Sequence, residues 1–86
     1  MSFRILIDAR AAKKLEKLPK PIVQKIDQAI VSLAENPRPW GVKLLRGKFR
    51  EGWRIRISDY RVLYRIDDVA QEIRIFDIGH RREIYR

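Results

Sequence analysis

The sequence has no cysteine, which excludes disulfides, thiol chemistry and zinc sites built on thiolates. It has one histidine, so a metal centre made from a histidine cluster is excluded as well. No cofactor is expected. No apolar run approaches the ~18 residues that a membrane-spanning helix needs, so no membrane association is expected. The opening Met1-Ser-Phe-Arg-Ile-Leu-Ile7 is interrupted by Asp8 too soon to read as a signal peptide. A soluble, cytoplasmic chain is the expectation. Acidic residues are scarce: 11 against 20 lysines and arginines, a formal charge of +9. Such a balance calls for a polyanionic partner or an acidic protein. The length is 86 residues, so one domain over residues 1–86 is expected. A domain of roughly 60 residues buries only about 60% of its unfolded surface, and this one is little larger. Any site should therefore be shallow and lie on the surface. Hydrophobic residues make up 45% of the chain, enough for it to fold despite its charge.

Residues 3–7 form a short apolar run, read as a strand. Asp8 suits an N-cap. From Ala9 to Leu18, Ala11, Ala12, Leu15 and Leu18 recur at helical spacing, with Arg10, Lys13, Lys14 and Lys17 on the solvated face. Pro19-Lys20-Pro21 breaks this helix, and Pro21 suits the first turn of the next. There Ile22, Ile26, Ala29, Ile30 and Leu33 make a second apolar stripe, ending near Asn36. After Trp40-Gly41 the period changes to two. Val42–Leu45, Trp53–Ile57, Tyr60–Ile66 and Glu72–Ile78 read as strands. Gly79 should end the last of them and leave a basic tail over 80–86. The order β-α-α-β-β-β-β predicts an α+β fold: an N-terminal strand and a helical hairpin packed on a mainly antiparallel sheet of four to five strands.

The register of the hairpin at Ser58-Asp59 carries the functional argument. A two-residue turn sets Ile57 across from Tyr60, Ile55 from Val62 and Trp53 from Tyr64, with Ile66 continuing this apolar side. A four-residue turn gives the same faces. A three-residue turn would mix apolar and charged residues on both faces and is rejected. The other side then presents Arg54, Arg56, Arg61 and Arg65, with Leu63 among them and Arg56 directly opposite Arg61. Like charges placed opposite each other cost up to about 1 kcal/mol. An ordinary solvated face mixes signs, and this one does not. Ten of the 13 arginines lie after residue 42, whereas five of the seven lysines lie before it. Lysine decorates the helices. Arginine, whose planar fork grips phosphate and stacks on bases, fills the sheet half. Beyond Gly79 lie His80, Arg81, Arg82 and Tyr85. On residue type alone His80 is either a surface side chain or a general acid–base, and Tyr85 either a plug on the core or a proton carrier.

The run Trp53-Arg-Ile-Arg-Ile-Ser-Asp-Tyr-Arg-Val-Leu-Tyr-Arg-Ile66, followed by Ile78-Gly-His-Arg-Arg-Glu-Ile-Tyr85, resembles the RelE toxins of type II toxin–antitoxin modules. The helical hairpin, Asn36-Pro-Arg-Pro39 and Lys43-Leu-Leu-Arg-Gly47 agree, so the likeness spans essentially the whole chain. It implies a metal-independent endoribonuclease that cuts mRNA in the ribosomal A site by attack of the 2′-hydroxyl, and so inhibits translation. By resemblance Arg61 would hold the scissile phosphate, and Arg81 would stabilise or protonate the leaving 5′-oxygen. Arg54, Arg56, Arg65 and Arg82 would bind substrate. The strand positions now filled by Arg54 and Arg56 are often lysine in the family. Arginine, with a pKa above about 12, is a poor base, which leaves Tyr85 and His80 as alternatives for that role. The partners implied are the ribosome and mRNA, a cognate acidic antitoxin, and operator DNA reached only through the antitoxin complex. Two other readings are a ParE-like inhibitor of DNA gyrase and an inactive RNA-binding relative.

Overall fold

The computed structural model describes residues 2–47 and 51–84. The elements run β1 (Arg4–Ile7), α1 (Ala9–Glu16), α2 (Lys20–Glu35), β2 (Lys43–Leu44), β3 (Trp53–Ile57), β4 (Tyr60–Asp67), β5 (Glu72–His80) and α3 (Arg81–Ile84). The sheet has five strands in the order β1-β5-β4-β3-β2. β1 runs parallel to β5, and the other neighbouring pairs are antiparallel. The helical hairpin thus carries the chain from one edge of the sheet to the other. α1 lies over β5, and α2 reaches both β1 and β3.

Each helix forms for a local reason. Asp8 sits at the N-cap of α1 but makes no capping hydrogen bond with its side chain. Its carboxylate accepts instead from Arg74 Nη1 of β5 at 2.7 Å, an ion pair that pins the start of α1 to the sheet. α1 ends at Glu16, two residues short of expectation. Lys17 and Leu18 close onto Lys14 and Leu15 with tighter turns ahead of Pro19. Pro21 sits in the first turn of α2, where its missing amide donor costs nothing. β2 is shorter than its apolar pattern, keeping only Lys43 and Leu44 in the ladder. β5 runs through Gly79 to His80, so Gly79 does not end the strand. The basic tail begins instead as the short helix α3. Gly79 is directly opposite Arg61 in the ladder, where its amide group keeps pairing, and a glycine can do that as well as any residue.

The main apolar cluster lies between the helices and one face of the sheet. Ala11, Ile26, Ile30, Leu33, Val62, Tyr64, Ile73, Ile75 and Ile78 are its buried members. A second cluster sits on the opposite face. Leu45, Leu63 and Ile84 are buried there, with Phe76 packed against them. Gly52 is the floor of this second cluster. A Cβ at Gly52 would stand 2.9 Å from Leu45 Cδ1 and 3.0 Å from both Phe76 Cε2 and the Tyr64 carbonyl oxygen.

A bulge separates the two clusters. Leu63 pairs with Asp77 but Tyr64 pairs with Ile75, leaving Phe76 as the extra residue. Phe76 points to the second cluster, while Asp77 reaches α1. The Asp77 carboxylate is 6% exposed as a residue, accepts from Lys14 Nζ at 2.7 Å and from the Ile78 amide at 2.9 Å, and has Arg10 at 3.8 Å.

A clasp closes the end of the sheet away from α3. Arg38 donates through both terminal nitrogens to Asp68 at 3.2 and 2.8 Å and lies 5.5 Å over the Trp53 ring. The Tyr64 hydroxyl donates to the Pro37 carbonyl at 2.8 Å. The loop after α2 is thereby fastened to the β4–β5 turn. The Arg38 hydrogen bonds hold the Asp68 carboxyl below its ordinary range, and the same carboxylate raises Arg38. Burial pushes the Tyr64 phenol up to about 12, although the nearby Arg38 pulls it the other way.

Two outcomes are expected. Gly52→Ala should cost about 1–3 kcal/mol, because the Tyr64 carbonyl cannot yield as a side-chain end can; urea unfolding reads it, and an unchanged midpoint would contradict the packing described. Tyr64→Phe should cost about 1 kcal/mol at neutral pH through the lost hydrogen bond. The native state holds the Tyr64 proton more tightly than the unfolded chain, whose phenol titrates near 10. Stability should therefore fall as pH rises from about 10 to about 12, and Tyr64→Phe should lessen that fall in thermal melts taken across the range.

Candidate nucleic-acid interface

Directly opposed residues of an antiparallel pair share a face. The ladder pairs Ile57 with Tyr60, Ile55 with Val62 and Trp53 with Tyr64, the register of a two-residue turn. Ser58, at this turn, takes a left-handed φ of 56°. The face turned away from the helices can then be followed strand by strand. One row runs from Lys43 to Arg54 to Leu63, and the next from Arg56 to Arg61 to Gly79. Arg65 lies across from Arg74 nearer the clasp.

The two ends of this face differ. Around the β3–β4 turn, Lys43 and Arg56 are exposed and Arg54 is half-buried. Arg61 is only 6% exposed, and its Nη1 donates to the Tyr60 carbonyl at 3.1 Å. Gly79 stands across the ladder from it, and Ile84 Cδ1 of α3 comes to 3.4 Å, ordinary contact distance, from where a Cβ at Gly79 would stand. Arg61 is thus a fixed cation at the back of the face, flanked by Leu63 and the Ile84 side chain. Charges act more strongly in such a setting than in open water. The Arg81 amide donates to the Asp59 carbonyl at 2.8 Å, which ties the start of α3 to the hairpin turn and sets the exposed Arg81 just beyond the Arg56–Arg61 row. Farther along β4, beyond Leu63, Arg65 is exposed and lies with its guanidinium carbon 4.1 Å from the centroid of Phe76.

The structure brings Arg54, Arg56 and Arg61 together, with Arg81 at the rim. His80 is elsewhere. It pairs with Tyr60 and meets that ring edge-on at 5.4 Å and 83°, on the side that faces the helices. Its Nδ1 accepts from the Arg82 amide at 3.1 Å, which leaves the ring proton on Nε2 in the neutral form. Arg82 is exposed on α3. Tyr85 lies outside the described residues. Sequence reasoning passed over Lys43, whose place opposite Arg54 was implicit in a β2–β3 pairing. It also passed over Phe76, since a bulge leaves no mark in the alternation of β5. Among the described residues, no group of three or more His, Cys, Asp or Glu side chains could hold a metal ion, and no helix is long and apolar enough to cross a membrane.

The family model for the ParE toxin of type II toxin–antitoxin systems, parDE, matches residues 5–85. The Toxin RelE of Mycobacterium tuberculosis is 34% identical over 85 residues, covering 98% of this chain and 87% of that protein. The toxin–antitoxin complex RelBE2 from Mycobacterium tuberculosis contains a chain that superposes with a TM-score of 0.82 at 28% identity, over 93% of this chain and 99% of that one. The archaeal RelE–RelB complex from Pyrococcus horikoshii gives a TM-score of 0.83 at 27% identity, over 96% of this chain and 99% of the other.

Proposed function

Because the chain belongs to the ParE toxin family of type II toxin–antitoxin systems, within the RelE/ParE superfamily, we propose that it is a ribosome-dependent endoribonuclease that cuts mRNA in the A site. The observation that carries this reading is the pairing of Arg56 with Arg61 on a face shared with Arg54 and Lys43. Like charges set opposite one another oppose folding, so the face needs a ligand that repays the cost, and phosphate is the ligand arginine forks fit.

The 2′-hydroxyl of one nucleotide attacks the adjacent phosphorus, and the bond to the 5′-oxygen of the next nucleotide breaks. The products are a 2′,3′-cyclic phosphate and a 5′-hydroxyl. Arg61, held by the Tyr60 carbonyl, meets the negative charge that develops on the phosphoryl oxygens. Arg81 stabilises or protonates the departing oxygen. Arg54, Arg56 and Lys43 hold the neighbouring phosphates. Tyr85 acts as the base in its phenolate form, taking the 2′-hydroxyl proton to become the neutral phenol; His80, on the helix-facing side beside Tyr60, serves the packing of the strand end. Arg82 and Arg65 extend the basic surface along the RNA. A cationic face this strong needs an acidic partner when idle, and the relatives crystallised as RelB complexes support a cognate antitoxin in that role. Operator DNA would be reached through that complex. Cytoplasmic ribosomes are the site of action.

Induction without antitoxin should arrest growth, and Arg61→Ala or Arg81→Ala should restore it. Losing one contact to transition-state charge slows such steps about 100- to 1000-fold. Tyr85→Phe should abolish cleavage while His80→Gln retains it. A folded Arg61→Ala protein as toxic as the parent would overturn the reading. The parDE family name supports a second reading, inhibition of DNA gyrase; growth arrest with intact mRNA and an induced DNA-damage response would select it.

A further inference from the structure

Arg65 is exposed, and its guanidinium carbon lies 4.1 Å from the Phe76 ring centroid. A guanidinium backed by an aromatic ring is a fixed planar cation, and a nucleobase stacks on such a plane whatever its identity. The bulge that makes Phe76 the extra residue puts the ring under Arg65 rather than in the main core. Arg65 also borders a shallow concavity of about 570 Å³, which Glu51, Asp67, Asp68, Glu72 and Arg74 line as well. That volume suits a nucleoside.

The charges say which part of a nucleotide would enter. The lining carboxylates repel phosphate, unlike the arginine rows at the other end of the face. Asp68 is engaged by Arg38, Glu72 by Arg4, and Asp67 by the Ala70 amide. Glu51 is exposed and makes no such contact among the described residues. A carboxylate accepts hydrogen bonds from the exocyclic amine of a base, and uracil has none to give. Arg65 is four residues from Arg61 on the same face of β4, about 13 Å along the strand. The base held here is therefore a neighbour of the nucleotide whose phosphate meets Arg61.

We propose that this concavity is a nucleobase subsite, with Arg65 on Phe76 as its stacking floor and the Glu51 carboxylate as its reader of amino-bearing bases. This rests on the RNA-cleaving reading and adds to it a stacked base away from the scissile bond.

The test uses the full chain and short 2′-O-methyl RNAs, which cannot be cut because the attacking hydroxyl is blocked: end-labelled oligo-C and oligo-U for affinity, and a separate oligo-U with one central 2-aminopurine for the quench. Binding should quench the 2-aminopurine, and oligo-C should bind several-fold tighter than oligo-U. Arg65→Lys keeps the charge and loses the plane. It should remove most of the quench and weaken binding about tenfold, while the salt dependence set by phosphate contacts stays. Glu51→Gln should keep the quench and lose the preference for cytosine. Equal quench and affinity in the parent and Arg65→Lys would overturn the proposal, as would equal affinity of the parent for the two RNAs. Cleavage on programmed ribosomes separates the two ideas. If no mRNA is cut yet quench and cytosine preference stand, the nuclease reading fails and the subsite is supported. If parent and Arg65→Lys cut with the same base preference and neither quenches, only the subsite is overturned.

Discussion

The two-residue turn at Ser58 and Asp59 fixes which side of the sheet every residue of β3 and β4 occupies. With Ile57 across from Tyr60, the apolar side chains of both strands meet the helices and the arginines face out. A slip of one residue would send Trp53, Ile55 and Ile57 to solvent and drive Arg54 and Arg56 towards the core. Burying unpaired guanidinium groups there would cost several kcal/mol each. The core therefore enforces the register, and the register assembles the arginine face. The turn itself accepts a left-handed Ser58 to keep that alignment.

The outer face is more than a row of cations. Leu63, Leu45, Ile84 and Phe76 form a small apolar cluster in the middle of it. That cluster anchors α3 on the sheet. It also divides the face into an arginine-rich end near the hairpin turn and an end near the clasp where Arg65 meets Phe76. Asp77 ties the same bulge to α1 through Lys14. One irregularity in β5 thus serves two contacts: it brings Phe76 to Arg65 and leaves Asp77, paired with Leu63, bound to Lys14 of α1.

Much of this was legible in the residues. The order of the five strands and the first two helices, the Ser58-Asp59 register and the Arg56–Arg61 opposition follow from alternation and helical spacing, and the structure carries them; the short helix α3 in the tail does not follow from either. The parallel placing of β1 beside β5 does not follow, because nothing local to either strand encodes which edge they share. Gly79 misled, since a glycine within a strand looks the same as one that ends it. The burial of Arg61 and the docking of α3 through Ile84 depend on contacts made across the sheet rather than along the chain. His80 shows the same limit. Beside arginines in sequence, it lies across from Tyr60 in space because the strand continues one residue past Gly79.

In the proposed mechanism one buried arginine, Arg61, and the exposed arginines around it drive phosphoryl chemistry at a shallow surface site, with the ribosome presenting the substrate. The measurement that tests it most directly is the chemistry of the RNA ends made on ribosomes programmed with a defined mRNA. Purified protein should leave a single break within the A-site codon, with a 2′,3′-cyclic phosphate upstream and a 5′-hydroxyl downstream. The same mRNA should survive when the ribosome is left out. Intact mRNA on the ribosome, or ends bearing a 5′-phosphate, would contradict it.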